Sequence, residues 1–100
     1  MAVAMLMTGE MVTKENYEQL TRTMFDEYPM SSEKAPDGLI LHTAGPTPQG
    51  WYVYDVWESK QHFERFLEQK LGPAVQELSG GQGPQPEPQY FEIEELVRGR

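Results

Sequence analysis

The stretch GLILHTAGPTPQGWYVYDVWES, residues 38–59, decides how the rest of the chain is read. Its first part, 39–44, is an apolar run opened by Asp37-Gly38. Its second part, 51–57, is dense in aromatic and β-branched residues, the composition of a strand. Residues 45–50 between them carry two Gly and two Pro and read as a turn. Two strands joined by so short a connection form an antiparallel hairpin. Its register has two readings. A five-residue loop sets Gly45 opposite Trp51 and His42 opposite Tyr54, whereas a loop one residue different sets His42 opposite Asp55.

Upstream of the hairpin, residues 3–8 form an apolar run ending at Gly9, which fits a buried strand. Thr13 is placed to cap a helix, with Glu15 in the first turn where the helix dipole favours an acid. Tyr17, Leu20, Met24 and Tyr28 recur at spacings of three and four, an amphipathic helix that Pro29 ends. Residues 30–36 are a polar loop. Downstream, Ser59 caps a second helix with Phe63, Phe66, Leu67 and Leu71 as its apolar stripe. Gly72-Pro73 is expected to interrupt it, with residues 74–78 adding a last turn. Residues 79–89 hold three Gly and three Pro and read as a loop. Residues 90–97 alternate apolar with acidic and read as a final strand with one wet face.

The order is β-α-β-β-α-β, the ferredoxin-like α+β pattern of a four-stranded antiparallel sheet with both helices on one face. One domain over residues 1–100 accounts for the length. Strand side chains alternate, so Trp51, Val53 and Trp57 point one way and Tyr52, Tyr54 and Val56 the other. Val3, Met5 and Met7 likewise oppose Ala4 and Leu6. Two helices cover one face only. The other leaves an apolar patch that a homodimer would bury, sheet against sheet.

Composition narrows the function. Sixteen acids against eight bases give a net charge of −8, which argues against nucleic acid and against an anionic membrane. The absence of cysteine removes disulfides, zinc-thiolate sites, iron–sulfur clusters and thiol nucleophiles. No apolar run is long enough to span a bilayer, and the apolar start has no basic flank or cleavage site, so a cytoplasmic protein is expected. All six methionines lie in the first thirty residues; methionine fills cores and adaptable cavities alike.

From Gly38 to Leu78, the hairpin, the Trp57-Glu58-Ser59 junction and the following Phe63 and Phe66 resemble small antibiotic-biosynthesis-monooxygenase-like proteins of the dimeric α/β-barrel superfamily. The resemblance in element order runs over about residues 3–97. It implies a homodimer with a cavity between each sheet and its helices. Some members oxidise polycyclic phenols with molecular oxygen and no cofactor; others are isomerases, cyclases or haem-degrading enzymes. An asparagine, a tryptophan and a tyrosine are prominent in the cofactor-free oxygenases, and the one asparagine here is Asn16, near the start of the first helix.

His42 is the first candidate for chemistry, since it sits mid-strand among apolar neighbours and can act as base or acid. The alternative is a buried histidine satisfied by one hydrogen bond. Asp55, an acid inside an apolar strand, needs a partner. It is a catalytic acid or base, or it pairs with a base such as Arg65, or it bonds a backbone amide. His42 would accept a proton, with Tyr54 or Asp55 orienting it. Trp51, Tyr52 and Trp57 would shape a pocket for a flat hydrophobic molecule, with Phe63, Tyr28 and Met24 completing it. His62, in the first turn of the second helix, is expected to face solvent, and two histidines twenty residues apart do not make a metal site. The glycines at 80, 81 and 83 follow a helix and precede prolines, the wrong setting for a phosphate cradle. Glu92, Glu94 and Glu95 read as a solvated edge strand. The leading expectation is a cofactor-independent oxygenase of an aromatic or polyketide-like molecule in secondary metabolism. A cyclase or isomerase is the alternative, and a non-catalytic dimer that binds a ligand or protein is the rival from another class.

Overall fold

A computed structural model describes residues 2–10, 12–79 and 88–99. The expected loop over 79–89, with Gly80, Gly81 and Gly83, lies almost entirely outside the described residues. The elements are β1 (Val3–Met7), α1 (Lys14–Phe25), a 3-10 turn (Ser32–Lys34), β2 (Leu39–Thr47), β3 (Gly50–Trp57), α2 (Lys60–Phe66), a π-turn (Leu67–Leu71), α3 (Gly72–Ser79) and β4 (Gln89–Glu92). The sheet order is β2-β3-β1-β4, antiparallel throughout. This is the expected ferredoxin-like α+β arrangement.

Both helix starts follow from their caps. The Thr13 side chain accepts the Asn16 N–H, and the Ser59 side chain accepts the His62 N–H. Four boundaries differ from expectation, each for a local reason. Helix α1 stops at Phe25 rather than at Pro29, because Asp26 takes a left-handed conformation (φ 60°) and its N–H closes on the Arg22 carbonyl. Strand β2 runs on through Pro46 to Thr47, so the turn shrinks to Pro48 and Gln49. Gly50 follows with φ 142°, a conformation that favours glycine. Gly72-Pro73 does not break the second helix: the Gly72 N–H reaches back five residues to the Leu67 carbonyl, and this widened turn carries the chain past a proline that has no N–H to donate. Strand β4 covers Gln89–Glu92 rather than 90–97, with one further bond from the Ile93 N–H to the Ala2 carbonyl.

The register lines up rows of side chains across the sheet. On the helix side run Leu39, Trp57 and Val3, then His42, Asp55, Met5 and Tyr90, then Ala44, Val53 and Met7. Val3, Met5, Met7, Val53 and Trp57 form the core with Val12, Phe63 and Leu71. Trp57 and Phe63 meet edge to face at 5.5 Å. On the opposite side run Leu41, Val56, Ala4 and Phe91, then Thr43, Tyr54, Leu6 and Gln89. Ile40 is the extra residue of a bulge between Leu39 and Leu41. It keeps Leu39 and His42 on the same face although they lie an odd number of residues apart.

Candidate functional site

The two-residue turn decides between the registers left open by the sequence. His42 faces Asp55 and Thr43 faces Tyr54. His42 Nδ1 lies 2.6 Å from Asp55 Oδ1. The Trp57 indole N–H donates to Asp55 Oδ2 at 3.3 Å. Asp55 is only 4% exposed, and both its oxygens are thus engaged. It does not pair with Arg65. The other imidazole nitrogen, Nε2, lies 2.6 Å from the hydroxyl of Tyr17 on α1.

The protons can be assigned from the chemistry. An ionised carboxylate only accepts, so Nδ1 carries a hydrogen, and in the neutral ring Nε2 then accepts from Tyr17. Burial pushes the Tyr17 phenol above its ordinary range. A hydrogen bond from Thr21 opposes this, and the negative charge of Asp55 adds to it. Tyr17 therefore stays protonated and donates. The result is a directed chain, Tyr17 O–H to His42 Nε2 and His42 Nδ1–H to Asp55.

Beneath this chain lies a cavity of about 70 Å³ between sheet and helices. Tyr17, His42 and Asp55 contribute its polar edge. Met5, Met7, Met24 and Met30 line it together with aromatic and aliphatic core residues, including Phe25, Trp57, Phe63 and Phe66.

The candidate residues therefore separate. His42, Asp55, Trp57, Phe63 and Met24 come together at the cavity. Tyr54 and Tyr52 lie on the other face of the sheet, opposite Thr43 and Gly45, so neither reaches His42. Trp51 shares the helix face and packs on Tyr17 at 5.7 Å, and Tyr28 meets Tyr17 edge-on at 6.0 Å. Both stand behind the tyrosine and outside the cavity lining. The Trp51 indole N–H is buried and has no hydrogen-bond partner among the described residues. Asn16 is exposed in the first turn of α1, its backbone N–H on the Thr13 hydroxyl. His62 does not face open solvent. It is half-buried against Gly38, where a Cβ would come within 2.3 Å of its ring. Sequence reading missed Tyr17, which it assigned only to an apolar helix stripe. Its signal was a polar tip on a face turned toward a mid-strand histidine.

Comparison with solved structures gives full-length similarity at low identity. A candidate antibiotic biosynthesis monooxygenase from Deinococcus radiodurans matches at TM-score 0.57 and 12% identity, over 97% of this chain and 94% of its own. An alanine-for-asparagine variant of SnoaB, a cofactor-independent oxygenase from Streptomyces nogalater, matches at TM-score 0.56 and 19% identity, over 96% of each chain. The fold is that of the antibiotic-biosynthesis-monooxygenase-like proteins. A conserved protein from Methanosarcina mazei Go1 shares it at TM-score 0.59 and 11% identity, over 93% of each chain. No protein-family profile and no curated protein matches the sequence. Among the described residues no helix is long and apolar enough to cross a membrane, and no three His, Asp or Glu side chains come together as metal ligands.

Proposed function

We propose that this chain is a small-molecule enzyme in which His42 is the general base and an apolar phenol is oxygenated by dioxygen without a cofactor. The hydrogen-bonded chain of Tyr17, His42 and Asp55 at the edge of an apolar cavity carries this reading. The fold shared with SnoaB, a cofactor-independent oxygenase, supports the choice of reaction.

In this reading the Tyr17 hydroxyl occupies the position of a substrate hydroxyl. A phenol displaces it, and Nε2 takes the phenolic proton. Asp55 acts as a positioning residue that holds the tautomer and stabilises the imidazolium. The electron-rich phenolate then reduces dioxygen. One oxygen atom bonds to the ring carbon and becomes the carbonyl of a quinone. The other leaves as water, with the two hydrogens lost from the phenolic O–H and the ring C–H. A cavity that holds benzene measures roughly 150 Å³, so a ring displaces Met24 and Met30, whose side chains rotate freely. A second copy covers the open sheet face, where Leu41 and Phe91 are 47% and 48% exposed.

Oxygen uptake with polycyclic phenols such as 1-naphthol, with chelator present and no cofactor added, tests the reading. We expect turnover in the native protein and a loss of about 10²–10⁴-fold in His42→Ala with the fold intact. Undiminished uptake in that variant overturns it.

A further inference from the structure

A second concavity, of about 230 Å³, lies beside the first. Phe25, Pro36 and Phe66 line both. The Phe25 and Phe66 rings stack at 6.2 Å, nearly parallel, and form the wall between them. The character of the outer cleft is opposite to that of the inner cavity. Lys34, Arg65 and Lys70 line it, three of the eight Lys and Arg in a chain of net charge −8, with Asp37 as the one acid among the described residues of its wall.

Two of these cations are held in place. Lys34 Nζ donates to the Phe25 carbonyl at 2.7 Å, and Lys70 Nζ to the Met24 carbonyl at 3.3 Å. Each ammonium keeps further donors to offer. Lys34 also lies 3.5 Å from Glu27 on its exposed side. Arg65 is exposed and enters no ion pair among the described residues, so its five N–H donors are open to a ligand. Local positive charge in an acidic molecule, set on an aromatic floor, suits an anion carried on an apolar body.

We infer that the Lys34–Arg65–Lys70 cleft binds the acidic group of the substrate, whose apolar body passes the Phe25–Phe66 wall toward His42. The substrate class is thereby an aromatic or polycyclic phenol that also carries an acidic group. The link to His42 rests on the catalytic reading above; the anion site stands on its own lining.

Titrating the native protein with 2-naphthoate and with its methyl ester, followed by 1H–15N NMR, tests this. The acid is expected to bind about tenfold more tightly than the ester, the sum of a few partly exposed ion pairs. Shifts are expected at residues 34–37 and 62–70 and at the His42 ring, and the preference should shrink as salt rises. Lys34→Gln/Arg65→Gln/Lys70→Gln should erase the preference. Arg65→Gln alone should reduce it about threefold, and it leaves both bonds to the α1 carbonyls intact. Equal binding of acid and ester overturns the anion site. Shifts confined to the cleft overturn its connection to His42. Because the titration reads binding alone, it is independent of whether His42→Ala abolishes turnover.

Discussion

The two faces of this sheet carry similar side chains and differ in what covers them. On the helix side, Trp57, Met5 and Val53 lie under Phe63 and Leu71, and that cover encloses Asp55 and His42. On the other side, Leu41 and Phe91 stay about half exposed, and Tyr52 and Tyr54 are half-buried. A histidine and a carboxylate on the open face would be solvated and weakly coupled. Under the helices Asp55 is buried and His42 partly so, the two 2.6 Å apart with Tyr17 on the other imidazole nitrogen. The cover, more than the strand composition, makes one face a site and leaves the other a surface.

Substitutions can break this contrast. Trp57→Ala should have the largest effect, since it empties the core and removes a donor to Asp55. It should cost about 3–5 kcal/mol in urea unfolding, a large share of the stability of an ordinary domain. Asp55→Ala should cost about 3 kcal/mol by the same measurement, because it leaves the buried Trp57 N–H and the His42 Nδ1–H without their acceptor. On the open face, Leu41→Asp should leave the circular dichroism spectrum and NMR dispersion of the subunit intact, changing its intrinsic stability by less than about 1 kcal/mol. Sedimentation should instead move from dimer to monomer. A dimer that survives this charge is not built on that face.

Tyr17→Phe should cost about 1 kcal/mol for one hydrogen bond and leave assembly unchanged. It should also change the response to alkali. The folded Tyr17 pKa is raised, so above the unfolded value of about 10 the unfolded chain gives up a proton that the native state keeps. Stability from this group is complete below that pH and is lost as pH climbs through the folded value. Tyr17→Phe should remove that part of the alkaline decline; an unchanged decline shows that other groups cause it.

Most of the fold was legible because local signals agreed with one another. Thr13 and Ser59 cap the helices they begin, and the 51–57 aromatic run is a strand. Where expectation and structure part, long-range partners or backbone options decided. Pro46 was read as turn, yet β2 continues through it. Gly72-Pro73 was read as a break, yet a π-turn carries the helix across. His42 and Asp55 were legible as misplaced polar groups in apolar strands. Their partnership was not, because it hangs on a turn length that composition leaves open by one residue. Tyr17 was hidden because a tyrosine on an apolar stripe looks the same whether its hydroxyl meets water or a histidine. The clustering of Lys34, Arg65 and Lys70 was invisible because the 3-10 turn is brought against α2 and the π-turn, some thirty residues further along the chain.

The account rests on His42 keeping an unprotonated Nε2 that accepts from Tyr17, with Nδ1–H held by Asp55. Imidazole 15N chemical shifts of the native protein at neutral pH measure this directly. The expected result is a His42 ring protonated at Nδ1 and unprotonated at Nε2, changing in Asp55→Asn and not in Tyr54→Phe. A ring protonated at Nε2 would contradict the account, because its base would point at a carboxylate rather than toward the cavity.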